Sequence, residues 1–465
     1  MSGYVFRSII STIHHEEEMN NEKEMRMEKT NQTLKRGYLI CLFLALTIWS
    51  MATTSGSGPD EAMKYDICNY IASHGKLPDG TDPALRNPIW GISYGFTPIL
   101  SYMISGVFLK IAFLFTTNVY WLYVAVRFTS VLSITGMAYL MFQIGEYLFQ
   151  TNRSRFLFVM SGTLLPQVMY LGSYLNNDSF ALFTIAWIIY AWLRGRDRHW
   201  DWKSCILLGT GIGLCALSYY NAYGYLLMSI PFFFISYWKE RQIEGEGKRT
   251  DMHRMFRMAA VIAIAAILLA GWWFIRSAIL YDGDFLGLRT TDKYGEMYAQ
   301  PGFRPSERPT PYHQGWSWYQ MLFTSGWLRT SLISFIGILR TCDWNLMGRG
   351  YLGIGILFLA GIIGYLAGGW KRKIFSSDRL LHITFLICMV IPCGLSIYYS
   401  FYSDYQPQGR YLMPMLIPFL YFVTTGLTLV LEKIPQKVNR MLYGGIYMFF
   451  ILISAASFYY VHALI

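Results

Sequence analysis

Two adjacent carboxylates, Asp60 and Glu61, follow a Gly56-Ser57-Gly58-Pro59 turn just beyond the first long apolar run. Proline fixes its own backbone and helps to aim the acids, and a carboxylate so placed suits general-base work on a hydroxyl. The same residues also suit the plainer task of starting a helix over 62–73. A third acid, Asp178, stands in Asn176-Asn177-Asp178-Ser179 ahead of the run 179–193, again as a site residue or as part of a helix cap. Arg410 lies in Tyr405-Gln406-Pro407-Gln408-Gly409-Arg410-Tyr411, before a late apolar run. Its guanidinium is built either to grip a phosphate bidentately or to snorkel among lipid headgroups. Arg127 and Arg276 sit at the ends of apolar runs, where a cation avoids the cost of the bilayer centre, and Trp272-Trp273 fits an interfacial aromatic belt. The candidate catalytic residues are therefore Asp60, Glu61 and Asp178. The candidate substrate-binding residues are Arg410, Gln408, Arg127 and Arg276. Glu61 and Asp178 are also candidate ligands for Mg²⁺ or Mn²⁺.

The elements that position these groups are set by composition. Of the 465 residues, 54% are hydrophobic and only 14% charged, against about 25% charged in a soluble domain. That excludes a soluble multidomain enzyme and a disordered chain. Apolar runs near 20 residues long match the thickness of a bilayer crossed as helix, so the fold class is all-α, a polytopic membrane protein. The net charge of +11 follows from basic cytoplasmic loops and does not point to nucleic acid. The 7 cysteines show no CxxC pair and no zinc spacing. Gly209, Gly211 and Gly213 lie inside an apolar run and suit close helix packing.

Residues 1–36 read as a disordered cytoplasmic tail, too long for a signal-peptide n-region, and 37–465 as one polytopic membrane domain. Tyr38–Met51 is a retained first span. Later runs lie near 93–115, 120–149, 156–175, 179–193, 204–220, 222–238, 256–280, 326–340, 350–370, 380–401, 411–431 and 441–463. The basic loops alternate correctly only if 93–115 and 326–340 are interfacial helices on the outer surface. About eleven spans result, with the N-terminus inside, the C-terminus outside, and about 25 of the 39 basic residues inside. The outer side then carries two large segments, about 52–126 and 277–349. Outer segments of that size suit an enzyme better than a channel. Cys68 and Cys342 both fall outside, so a disulfide between them is one option in an oxidising compartment.

Pro59-Asp60-Glu61 after the first helix, Asn176-Asn177-Asp178 at a later outer mouth, Ser325-Gly326-Trp327 to Cys342-Asp343-Trp344, and Gln408-Gly409-Arg410-Tyr411 form an ordered set. In this the chain, from about Tyr38 to Leu431, resembles the bacterial membrane-protein family of domain of unknown function 2142. That family in turn resembles the C-type (GT-C) membrane glycosyltransferases, among them the protein mannosyltransferases and the aminoarabinose transferase. Their acidic pair in the first outer loop matches Asp60 and Glu61, and their second acid matches Asp178. The start of their second span matches Arg127 onward, although Phe128-Thr129 stand here where Leu-Pro is common.

The resemblance implies a GT-C-like fold in the bacterial cytoplasmic membrane with its active site on the outer face. It implies transfer of a sugar from a polyprenyl-phosphate donor to a glycan, lipid or protein acceptor of the cell envelope, with membrane lipid and no nucleic acid as partner. Asp60 is then the first candidate for the base. The leaving phosphate needs a cation, either Arg410 or a Mg²⁺ or Mn²⁺ on Glu61 or Asp178. A transporter or flippase of a lipid-linked sugar is the competing class. It calls for ionisable residues in the middle of several spans, and few stand there. A non-catalytic scaffold using 281–325 is a third. The topology predicts that cysteines introduced near Asp60, Thr291 and Asp404 react with an impermeant reagent applied from outside, and that cysteines near Lys248 and Lys371 do not. Labelling near Lys248 would overturn it.

Overall fold

In hydrocarbon a backbone must satisfy its own polar groups, which helices do, and every regular element among the described residues is helical. The computed structural model describes residues 29–243, 252–337, 347–369 and 371–463. In chain order the helices are α1 (Lys29–Ala52), α2 (Glu61–His74), α3 (Leu100–Ala112), α4 (Val119–Leu148), α5 (Asn152–Thr163), α6 (Pro166–Leu171), α7 (Asp178–Asp197), α8 (Trp202–Ala216) and α9 (Gly224–Ile243). There follow α10 (Met252–Leu280), α11 (Leu288–Tyr298), α12 (Trp327–Ile336), α13 (Met347–Gly364), α14 (Ile374–Ser377), α15 (Arg379–Tyr402), α16 (Leu416–Leu431) and α17 (Gln436–Ala463). The chain divides into two units, 1–45 and 46–465. The described part of the first unit is helical and belongs to α1. The candidate site lies in the second.

Seven helices among the described residues are long and apolar enough to cross a membrane: α1, α4, α10, α15, α17, and the helical segments Gly348–Gly369, which covers α13 from its second residue, and Gly409–Leu431, which contains α16. The protein is an integral membrane protein on that ground. The four other segments of the expected eleven are shorter, broken or less apolar. α8 has 15 residues, fewer than the about 20 that span the hydrocarbon core. The run 156–175, read from sequence as one span, is two helices: Pro166 supplies no N–H and forces Leu165 into extended backbone, which ends α5 and starts α6. Most of α7 is buried in protein, so it faces little lipid and tolerates polar residues such as Thr184.

Two further expectations are corrected. Residues 29–36 are not part of a disordered tail but the first turns of α1, where Leu34, Lys35 and Arg36 are good helix formers. Residues 1–28 lie outside the described residues. The run 93–115 yields one turn of 3₁₀-helix over Tyr94–Phe96 and α-helix only over α3, because Thr97-Pro98 interrupts it. α3, with 13 residues, and α12, with 10, are each too short to cross a bilayer at about 1.5 Å per residue. Cys342 and the loop around Lys248 lie outside the described residues. Cys68 is a buried free thiol.

The glycine stripe of α8 lets it pack closely between neighbours. A Cβ on Gly209 would stand 2.5 Å from the Ile262 carbonyl oxygen of α10, and one on Gly211 would stand 2.6 Å from the Trp187 ring of α7. At one end of the bundle the basic side chains tie helix ends together. Arg196 pairs with Asp378 at 2.7 Å, Arg372 with Glu432 at 2.9 Å, and Arg153 donates to the Asn439 amide oxygen at 3.1 Å. The opposite end, where α1 and α6 finish and α4 and α7 begin, holds the turn 53–60, α2, α3 and the segment 281–326. The candidate residues gather there.

Candidate functional site

Arg127, near the start of α4, is fully buried, and all five of its N–H groups are satisfied. Nε donates to Glu61 Oε1 at 2.7 Å, and Nη2 to Glu61 Oε2 at 2.7 Å and to the Thr54 carbonyl at 2.8 Å. Nη1 donates to the carbonyls of Ser50 (3.0 Å) and Thr53 (2.6 Å). Those carbonyls lie at the C-terminus of α1, where helices leave acceptors unpaired. Glu61, at 0% exposure, is equally saturated. Besides the fork from Arg127, Oε1 accepts from the Leu175 N–H (2.9 Å) and Oε2 from the Gly58 N–H (3.3 Å). A carboxylate has about four lone-pair sites, and here each is engaged.

Glu61 and Arg127 are thus an anchor, and two roles expected of them are corrected. Glu61 has no free oxygen for catalysis or for a metal, and Arg127 has no free donor for a substrate. Glu61 and Asp178 were the candidate ligands for Mg²⁺ or Mn²⁺. Glu61 is engaged on both oxygens, and among the described residues no three His, Cys, Asp or Glu side chains converge, so a cation on Glu61 would have to displace one of these bonds. Arg276 also stands apart. It donates to the Pro78 carbonyl at 2.8 Å, lies over the Trp273 ring, and is not a wall of the cavity described next.

That cavity, about 360 Å³, lies at the same end of the bundle. Its walls are the turn 56–60, Gln167, Tyr170 and Tyr174 from the α6 region, Ser334 of α12, and Gln408, Gly409 and Arg410. Three of the expected residues, Asp60, Gln408 and Arg410, therefore meet although 350 positions separate the first from the last. Asp60 carries φ 55°, a left-handed conformation that an L-residue adopts at some cost, and its side chain caps nothing. Its carboxylate instead accepts from the Tyr94 hydroxyl at 3.0 Å and stands 4.0 Å from Arg410 Nη2. Gly58 is required in this turn, because a Cβ there would lie 2.4 Å from the Tyr174 ring.

Arg410 is not a snorkelling anchor. Its side chain is only 12% exposed, donates to the Tyr411 hydroxyl at 3.0 Å, and follows a Gly409 N–H that is held by Ser334 Oγ at 2.7 Å. Asp178 is buried at the start of α7 but is not a wall of the cavity. The local capping is done by Asn176, whose Oδ1 accepts from the Ser179 N–H at 2.8 Å.

Sequence reasoning missed Tyr94, Lys64, Tyr174 and Ser334. Lys64 had a signal: one turn after Asp60, it is a cation on the face of α2 that packs inward. Tyr94 had none, since the fold alone brings it to Asp60. Burial, reinforced by the charge of Asp60, holds the Tyr94 hydroxyl well above the usual phenol range, so it is a proton donor to that carboxylate at any physiological pH.

Among solved structures, the chain is similar to ArnT from Cupriavidus metallidurans bound to undecaprenyl phosphate, with 12% identity over 91% of this chain and 63% of that one, and a TM-score of 0.49. It is similar also to the archaeal oligosaccharyltransferase AglB from Archaeoglobus fulgidus in complex with an inhibitory peptide and a dolichol-phosphate, with 12% identity over 92% of this chain and 55% of that one, and a TM-score of 0.49. The chain thus spans less than two thirds of the length of either. No family profile, that of domain of unknown function 2142 included, and no curated protein matches the chain.

Removing one member of a buried ion pair leaves the other charge unpaired and costs about 3–5 kcal/mol. Glu61→Gln and Arg127→Met are each expected to lower the melting temperature of the purified protein sharply. Arg127→Lys should do so too, since an ammonium cannot make five bonds in a plane. A native melting temperature in all three would contradict the assignment.

Proposed function

We propose that the protein is a membrane glycosyltransferase that moves a sugar from a polyprenyl-phosphate donor to a cell-envelope glycan, lipid or protein acceptor at the outer face of the membrane. The observation that carries this is the facing pair in the cavity wall: a carboxylate oriented by Tyr94, and a largely buried guanidinium 4.0 Å from it. A general base and a phosphate grip are the two groups that such a transfer needs. The cavity lies at the ends of the membrane helices, which lets an isoprenoid tail stay in hydrocarbon while its phosphate reaches polar groups. The basic clusters at the other end of the bundle favour that end as cytoplasmic and the cavity end as outer.

In this reaction the acceptor hydroxyl gives its proton to the Asp60 carboxylate as its oxygen bonds to the anomeric carbon. The bond from that carbon to the phosphate oxygen breaks, and its electron pair leaves with the lipid phosphate. Positive charge develops on the sugar ring in the transition state and negative charge on the phosphate. Arg410 offers the phosphate N–H donors from a largely buried guanidinium, and donors aimed at developing charge stabilise it. Tyr94 donates to one oxygen of Asp60, which fixes the plane of the carboxylate for the proton it accepts. Gln408 supplies an amide to the sugar hydroxyls. Asp178 supports the site electrostatically from behind the wall.

The test is incubation of the purified protein with a labelled polyprenyl-phosphate sugar and envelope acceptors. The native protein is expected to give labelled product. Asp60→Asn is expected to lose about 10²–10⁴-fold in rate while the protein still folds, because the side chain caps no helix. Arg410→Lys should also lose activity, since it loses the fork. No product from the native protein, or full activity in Asp60→Asn, would overturn the proposal.

A further inference from the structure

We infer that Lys64 is a positioning residue for Asp60: its ammonium clamps the Pro59 carbonyl and so holds Asp60 in the conformation that presents its carboxylate to the cavity. This rests on the reading of Asp60 as the base and adds a residue that holds it there.

The geometry is specific. Lys64 is 2% exposed, and Nζ donates to the Pro59 carbonyl oxygen at 2.8 Å. That bond reaches back over Asp60, the residue with φ 55°. The Lys64 backbone N–H holds the Asp60 carbonyl itself at 3.1 Å. Both peptide carbonyls flanking the strained residue are therefore tied to the same lysine. The ammonium also lies over two rings, 5.5 Å from the centroid of Tyr94 and 5.9 Å from that of Tyr174, within reach of a cation–π attraction. Tyr94 is the ring whose hydroxyl orients Asp60, and Tyr174 is a wall of the cavity.

The charges balance around it. Asp60 and Glu61 at the start of α2, Asp178 at the start of α7, Arg410 ahead of α16 and Lys64 itself influence one another electrostatically, and Arg127 of α4 pairs with Glu61. Three carboxylates meet three cations, with the phenols of Tyr94 and Tyr174 between them. Removing the lysine charge leaves a half-buried cluster with an excess negative charge next to Asp60. Burial first and the Arg410 charge second bring Lys64 down to about 8, against the opposing pull of Asp60, Asp178 and Glu61. The ammonium is present below that pH and is lost as the pH rises through it, so transfer should fall along an alkaline limb centred near 8.

Two measurements on the full chain separate this inference from the proposed reaction. The first needs no activity. Lys64→Met is introduced into the native protein and into Asp60→Gly, and the four melting temperatures are compared. Glycine takes the left-handed conformation without strain, so the drop caused by Lys64→Met should be smaller in the Asp60→Gly background. Equal drops overturn the clamp. If Lys64→Met does not purify, Lys64→Gln carries the same cycle. The second uses transfer from the labelled donor across pH. Lys64→Met should lower kcat by about 10²-fold, as a small misplacement of a reacting group does, with KM for the donor little changed. Lys64→Arg, which keeps its charge, should abolish the limb near pH 8. Native kcat in Lys64→Met with the limb intact overturns the inference. Absence of transfer in the native protein would strike the proposed reaction instead and leave the melting cycle to decide the clamp.

Discussion

The buried fork between Glu61 and Arg127 is the constraint on which the rest of the site depends. Burying two charges costs several kcal/mol each, and only excellent geometry with every lone pair and proton satisfied repays it. This pair meets that condition, with five donors from Arg127 and four contacts onto Glu61. The pair and its partners belong to five parts of the chain: the end of α1, the turn at Gly58, the start of α2, the first third of α4, and Leu175 after α6. No apolar contact could fix the relative positions of these backbones so specifically, because dispersion is not directional.

Neighbouring residues take their roles from it. Glu61 points inward onto Arg127, and the turn from Gly58 is pinned by its other oxygen. Asp60, directly before it, reaches the cavity by adopting a left-handed backbone. Strain of that kind persists only where the surroundings over-determine it, and here they do: Glu61 holds one side, Lys64 ties both flanking carbonyls, and Tyr94 takes the carboxylate. Across the cavity, Arg410 is set by Gly409, whose N–H is held by Ser334 of α12. A short helix that cannot span the membrane thus positions the cation.

Much of this was legible in the chain. Apolar runs marked the seven helices long enough to span among the described residues, and the charge pattern read 93–115 and 326–340, which hold α3 and α12, as interfacial and not as spans. The acid pair after α1 and the Gly409-Arg410 step marked two walls of the cavity. What could not be read was which acid of the pair does what. Adjacent residues on a turn point in different directions, and only the partner 66 positions away shows that Glu61 faces Arg127. Tyr94 and Lys64 escaped notice for a related reason. A tyrosine in an irregular segment carries no periodic signal, and a lone lysine on a polar-looking helix reads as solvated. The break at Pro166 was readable and was passed over because hydropathy alone does not register a proline.

The central claim is that the Glu61–Arg127 pair holds two distant segments of backbone in one arrangement. Hydrogen–deuterium exchange of Arg127→Met against the native protein tests it most directly. Loss of protection is expected together in 53–61 and in 171–178, the two segments joined through Glu61, while the helix ends tied by Arg196 and Asp378 at the other end of the bundle keep theirs. Unchanged protection in both segments, or a loss confined to the vicinity of residue 127 on α4, would contradict it.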